Sequence, residues 1–422
     1  MNINHITQSL FKENYQGAKP LELRDGQIVY GKINKLFPHQ MAEVQIGSQK
    51  MIANLSIPLS LDKQYWFQVK NTNEKPILKV LAEPRESDKV SVTNLLKPLS
   101  LPETKENKAL IQSLLTNQLP LTKEIISKAS EWLTNDSSLK QDLATIRLML
   151  DRNLPFTSDV FHSLSSVQST KGITNLLTFL QQELSENRLA QPELVNLLSE
   201  ITEEQTMLEN GKPTVDILKE AIQRIGYTYE NKLTDDILTQ EDLMARKEIL
   251  KPLLLDLIKN DVPASIKEIA SQVIDKITGY QLLSQQVGPM MQIITEIPIR
   301  FFNQQVDVTM QYNGRKKEDG TVDSDYCRIL FYLELAHLKE TVIDMHVQNR
   351  VMSITVQNDL AVQIAPLIDN YKEGLKKNLK EANYTLLSIL TKPLTKQPEV
   401  ETKKYGNASL AMGAYKGVDL KI

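Results

Sequence analysis

The chain has 422 residues, 41% of them apolar and 24% charged, with 49 basic against 52 acidic side chains and a formal net charge of −3. At about 150 residues per domain this is material for two to four domains, folded for most of its length. No global basic field calls for nucleic acid, and the single cysteine, Cys327, excludes an internal disulfide, a thiolate zinc cage and a CxxC redox pair. Such cysteine usage fits a reducing, cytoplasmic setting. The opening residues, Met1 to Tyr15, lack the apolar core of a cleaved signal, and no stretch has the roughly 18 apolar residues of a membrane anchor. Export through an uncleaved, polar N-terminus remains open to residues 2–19.

Residues 1–20 read as a flexible N-terminus. Over 21–83 the hydrophobic period falls to two in five short runs: Gln27–Tyr30, Ala42–Ile46, Met51–Ala53, Trp66–Val69 and Ile77–Leu81. Turn formers at Asp25-Gly26, Gly47-Ser48, Asp62-Lys63 and Asn73-Glu74 separate them, which predicts a five- to six-stranded antiparallel barrel that leans on a neighbour for stability. Residues 84–108 are rich in Pro, Ser, Glu and Lys and read as a linker. The helical period then holds through 109–286. Within it Leu119-Pro-Leu-Thr122 and Leu154-Pro-Phe-Thr157 recur 35 residues apart, with looser echoes at Gln191-Pro192 and Val262-Pro263. Proline stops one helix and the following hydroxyl caps the next, so the pattern predicts helical hairpins in a bundle more than a regular solenoid.

After Gly288-Pro289 the period returns to two, and 287–392 reads as a compact α+β domain. Strands are expected at Ile293–Ile299, Val306–Met310, Arg328–Leu335, Thr341–Val347, Val351–Val356 and Tyr384–Leu390, with a polar turn from Asn313-Gly314 to Asp319-Gly320. Asn358 is the expected N-cap of a helix whose stripe Leu360, Ile364, Leu367, Ile368, Tyr371, Leu375, Leu379, Ala382 predicts one face laid on the sheet. Gly374 in its interior suggests close packing there. Residues 393–422 read as a flexible tail. The fold class expected is thus α+β and multidomain: a small N-terminal antiparallel β barrel, a central helical bundle, and a C-terminal α+β domain with a sheet and one long helix.

Catalytic chemistry is hard to find in this chain. His5, His39, His162, His337 and His346 are dispersed and no metal-ligand spacing occurs, so no metal site is expected. Gly211-Lys212-Pro213-Thr214 lacks the upstream glycine of a phosphate loop, and Pro213 removes a donor. Asp344 and His346 share the polar side of a strand and read as a solvated face; Cys327 reads as a small buried hydrophobe. No catalytic residue, cofactor or small-molecule substrate is indicated. The barrel holds Tyr30, Phe37, Tyr65, Trp66 and Phe67, but eight basic against six acidic residues between Leu21 and Glu83 make too weak a field for a phosphate-tracking groove, and the aromatics read as core.

The run from Leu333 to Val356, followed by a helix and Tyr384-Thr-Leu386, resembles the C-terminal domain of flagellar hook-length control proteins over roughly Met291 to Leu390, and the ending Gly417–Ile422 is similar to tails of Gram-positive members. Lys339 stands where that family has a turn glycine, and Asn383 precedes Tyr384 where glycine is common. The resemblance implies a non-enzymatic component of the flagellar type III export system, whose C-terminal domain docks on the cytoplasmic domain of the export-gate protein and switches substrate specificity. Hook or hook-cap proteins are further implied partners. The expected contacts are His337, Lys339, Glu340, Gln348, Asn349 and Arg350 on the turns, with Leu333, Leu335, Leu338, Ile343, Met345, Ile354 and Val356 as core. As continuous helix the middle would reach about 270 Å, and fully extended about 600 Å, yet it reads as a bundle that a narrow channel would have to unfold. A non-exported cytoplasmic binding or scaffold protein, with the barrel engaging nucleic acid or protein, is the alternative. A hidden enzyme would be betrayed by a deep pocket with convergent polar groups.

Overall fold

The computed structural model describes Leu23 and residues 25–38, 40–46, 49–70, 76–82, Leu95, Leu96, Leu99, 101–117, Leu119, 121–133, 138–169, 171–187, 191–203, 214–230, 248–287, 290–301, 304–317 and 322–394. The expected flexible N-terminus, the tail from residue 395 and most of the expected linker lie outside these residues.

Five strands, β1 (Ile28–Phe37), β2 (Met41–Ile46), β3 (Gln49–Leu55), β4 (Gln64–Lys70) and β5 (Ile77–Ala82), close into a barrel in the order β1-β2-β3-β5-β4. The pairs are antiparallel except β3 with β5, whose short parallel contact completes the closure. Alternation fills the interior with Val29, Ile33, Val44, Phe67, Val69 and Leu78. Gly31 is required there, since a Cβ would stand 2.7 Å from a Val44 methyl. Ile28 and Trp66 belong instead to the core of the helical region, and Ile28 N donates to Leu121 O at 2.7 Å. The barrel leans on the helices, as its small size requires.

The helices are α1 (Lys105–Thr116), α2 (Lys123–Trp132), α3 (Leu139–Asp151), α4 (Ser158–Val167), α5 (Ile173–Glu186), α6 (Pro192–Glu203), α7 (Thr214–Ile225), α8 (Leu250–Lys259) and α9 (Ala264–Leu283). The recurring Pro-x-Thr phrase works as read: Thr122 accepts from Ile125 N and caps α2, and Thr157 accepts from Val160 N and caps α4. Its echo at Pro263 has no side-chain cap. The linker reading needs correction at its C-terminal half. Leu95, Leu96 and Leu99 are buried in the helical core and α1 begins at Lys105, because three leucines within five residues outweigh the neighbouring prolines.

Seven strands, β6 (Gln285–Val287), β7 (Met290–Phe301), β8 (Gln304–Lys316), β9 (Val322–Leu335), β10 (Lys339–Gln348), β11 (Val351–Asn358) and β12 (Thr385–Lys392), form one sheet in the order β12-β11-β10-β9-β8-β7-β6. All neighbours are antiparallel but β11 and β12, which run parallel and are joined by α10 (Ala361–Glu381). Asn313 and Gly314, expected to open a turn, lie inside β8, whose pairing with β9 continues to Lys316. Ile294, Leu330, Tyr332 and Val342 join the helical core, so barrel, helices and one face of the sheet share a continuous apolar interior. The opposite face carries Ile297, Ile299, Val306, Val308 and Leu333 against Ala221 of α7 at one side. Further along it, Val347, Met352 and Ile354 pack with Leu379, Leu386 and Ile389.

The architecture is the expected one: an N-terminal closed barrel, central helices and a C-terminal sheet with one long helix. No helix among the described residues is long and apolar enough to cross a membrane.

Candidate docking surface

The residues expected to make contact lie at the two ends of β10. At one end, the turn from β9 holds exposed His337 and leads into Lys339, whose φ is +59°. Half-buried Glu340 is next, its carbonyl accepting from Asn358 Nδ2 at 2.9 Å. At the other end, Asn349 and Arg350 form a two-residue hairpin turn with φ of +49° and +62°, closed by the Gln348–Val351 pair. Ten residues of strand separate the two ends by about 30 Å, so the six residues form two clusters and not one site.

Arg350 is a brace. Its Nε donates to Asp325 Oδ1 at 2.8 Å, its guanidinium lies 5.9 Å from the Tyr384 ring centroid, and its carbonyl accepts from Thr385 N at 2.8 Å. It therefore ties the start of β9, the hairpin and β12 together.

Asn358 does not cap α10 as expected. It ends β11 wholly buried, and its Nδ2 donates to Leu338 O, Glu340 O and Thr341 Oγ1 while its Oδ1 accepts from Leu360 N. The N-cap is Leu360, without a side-chain bond.

The stripe on α10 also needs correction. Only Ala361 and Ile364 are buried, while Tyr371 is 78% and Leu367 56% exposed. The helix packs chiefly on β12, and much of its apolar stripe is left uncovered. Gly374, expected in close packing, has nothing among the described residues within 4 Å of the point where a Cβ would stand. On β12, Leu387 is 70% and Leu390 51% exposed. Ile389 pairs with Ile354 on the α10 side and Leu390 with Thr355, so Leu390 points to the face away from α10, and helix and strand expose separate apolar patches. A period count could find the stripe without saying which part meets the sheet.

On the other face, Arg328 grips Asp344 with two bonds of 2.9 and 3.0 Å, and His346 Nε2 stands 3.3 Å from Asp344 Oδ1. Burial alone would raise the Asp344 carboxyl, but the bonds from His346 and Arg328 outweigh it and bring it down to about 2. Cys327 sits half-buried, and burial pushes its thiol up to about 11, the environment of an inert cysteine.

On the barrel, Trp66 is only 6% exposed and Tyr30 lies against it with ring centroids 4.7 Å apart and planes tilted by 41°, while Tyr30 and Phe37, expected as core, are 36% and 38% exposed. Lys32 pairs with Asp62, and Lys35 and Lys50 share Glu43. A cavity of about 320 Å³ lies where Gly26 and Gln68 meet the start of α2, but the Thr122 hydroxyl on its wall is spent on capping. Among the described residues no three His, Cys, Asp or Glu side chains gather as a metal site.

Residues 2–79 match a family model described as the TP0910 S1-like domain, a likeness confined to the barrel end of the chain. A 163-residue segment is 34% identical to "Uncharacterized protein YlqG" of Bacillus subtilis (strain 168) and covers 39% of this chain. The chain spans about a quarter of that relative's length, 27%. No solved structure matches.

Proposed function

We propose that this protein works without catalysis, as a flagellar hook-length control or export-switch protein that docks its C-terminal domain on the cytoplasmic domain of the export gate. The observation that carries the docking reading is the set of apolar side chains left uncovered at this end of the sheet, Leu367 and Tyr371 on α10 and Leu387 and Leu390 on β12, all more than half exposed. Exposed apolar patches of this kind mark interaction sites. The flagellar assignment rests on the resemblance of residues 291–390. It is supported by backbone conformation at both places where the resembled pattern has glycine: Lys339 and Asn383 take φ of +59° and +62°. Non-glycine residues keep the left-handed turns that glycine would otherwise supply.

The middle enters this reading as scaffold. Its core is continuous with both neighbours, so the protein acts on the gate from a folded, cytoplasmic state and does not measure length by threading. Electron microscopy of hooks in a strain lacking the gene tests the assignment. Overlong hooks without filaments are expected; normal hooks with normal filaments would reduce the resemblance to a shared fold.

A further inference from the structure

We propose that the free edge of β12 takes up an extended, acidic segment of the partner as an added strand, alongside a row of lysines on α10. The inference rests on the docking reading and supplies the chemistry of what docks.

Among the described residues β12 ends the sheet and is bonded on one side only, to β11. From Thr385 to Thr391 it contains neither a charge nor a proline. Natural edge strands normally carry such residues to prevent pairing with other chains. After one irregularity near Leu387, the register with β11 runs evenly from Ser388 to Lys392, so the outer backbone row is regular there. Leu387 and Leu390 stand exposed beside it, ready for alternate side chains of an incoming strand.

Helix geometry places the charge. On α10 the buried Ala361 and Ile364 and the half-buried Leu379 face the sheet. Leu367 and Tyr371 lie on one flank, while Lys372, Lys376 and Lys380, spaced by four, lie on the other. A parallel β–α–β crossover is right-handed, which turns the lysine flank of β11–α10–β12 toward the free edge and the Leu367–Tyr371 flank back over β10. Lys392 adds a further cation at the strand's end. Asp369 shares the lysine flank nearer the helix start, and Glu373 sits 3.8 Å from Lys376, leaving a basic excess over the edge.

This charge decides the occupant. A second copy of β12 would bring no carboxylate and would set two lysine rows side by side. An extended segment alternating apolar and acidic residues satisfies the backbone row, the leucines and the lysines together.

The test uses the full chain and three labelled decapeptides: alternating Val-Glu, alternating Val-Lys, and Val-Glu with every second amide N-methylated to block strand pairing. Fluorescence anisotropy is expected to show binding of the first, weakening with added salt, at least ten-fold weaker binding of the second and none of the third. Lys376→Glu with Lys380→Glu should weaken the acidic peptide ten-fold or more, and Leu390→Pro should abolish its binding, with circular dichroism unchanged in both. Equal binding of acidic and basic peptides, or no binding at millimolar concentration, overturns the proposal. So does a concentration-dependent dimer that the Leu390→Pro variant loses. Peptide binding together with normal hooks in the deletion strain would keep the edge and discard the flagellar assignment. Overlong hooks without peptide binding would keep the assignment and move docking elsewhere.

Discussion

The carboxylate of Asp307 on β8 caps helix α5 from 133 residues away, accepting from Thr174 N at 3.1 Å and from the Thr174 hydroxyl. The residue at the cap position itself is Gly172, which has no side chain to offer. Its bareness is what admits Asp307, since a Cβ there would meet a carboxylate oxygen at 1.7 Å. The sheet thus completes a helix of the middle region. Asp307→Ala should cost about 1–2 kcal/mol by orphaning the first-turn donors. Gly172→Ala should cost at least as much by expelling the carboxylate. Urea midpoints of the two variants check this, and unchanged midpoints would show that the cap contributes nothing.

Beside this joint, Lys276 donates to Lys171 O at 2.8 Å and stands 3.5 Å from Glu296 Oε2, both charged side chains being buried. Burial pushes the Glu296 carboxyl up to about 7 against the pull of Lys276, and burial raises Asp307 as well. A carboxyl whose folded pKa lies above its unfolded value binds more protons when folded, so its favourable contribution is complete below about pH 4.5 and lost as pH rises through 7. Asp344, held at about 2, has the opposite sign: its contribution is present above its unfolded value of 3.8 and is lost as pH falls through 2. Stability measured by denaturant at successive pH values should therefore decline from pH 5 to pH 8, and Glu296→Gln should flatten that decline. A profile equally steep in the variant would assign the slope to other groups.

Local chemistry was legible in the sequence where both partners are near each other in the chain. Thr122 and Thr157 announce their helices because a hydroxyl three residues before its donor is a short-range signal. Alternation located the barrel strands and β9 to β12 for the same reason. Asn358 misled because its partners, Leu338 O and Glu340 O, lie across a hairpin, and an Asn before a helix looks the same whether it caps or staples. The Gly172–Asp307 fit spans the chain and leaves no pattern at all. On α10 the period showed an apolar stripe, but the position of the helix over the outermost strand decides how much of that stripe is covered. The docking surface was therefore sought on the turns, whereas the exposed apolar side chains lie on α10 and β12.

Two substitutions should stabilise the protein. Lys339 holds a left-handed conformation that costs a side-chain-bearing residue about 1 kcal/mol, so Lys339→Gly should raise stability by up to about that amount, less the entropy glycine adds to the unfolded chain. Gly374 lies exposed in the middle of α10 with open space around it, and Gly374→Ala should gain roughly 0.5–1 kcal/mol. Thermal unfolding of the single variants checks both. Destabilisation by Gly374→Ala would mean that the space beside it is filled in solution.

Arg350 should prove structural more than recognitional. Arg350→Ala removes an ion pair with half-exposed Asp325 and the contact over Tyr384, an expected cost of about 1 kcal/mol. Arg350→Lys should recover little, because an ammonium cannot reproduce the planar contact with the ring. Loss of partner binding without loss of stability in Arg350→Ala would instead return the hairpin turn to the interface.

Exposed apolar residues of α10 separate docking from folding. Leu367 and Tyr371 touch little within the chain, so Leu367→Ser with Tyr371→Ser should change stability by less than about 0.5 kcal/mol. Ile354 is buried between β10 and α10 in the core that includes Met345 and Ile389, and Ile354→Ala should cost about 2–4 kcal/mol. Expressed in the deletion strain, the serine pair should accumulate normally yet leave hooks uncontrolled, because the surface it alters has no folding task. Ile354→Ala should lower the amount of protein along with its effect on hooks. Full restoration of hook length by the serine pair would exclude the Leu367–Tyr371 flank from docking and leave the β12 edge as the remaining apolar contact.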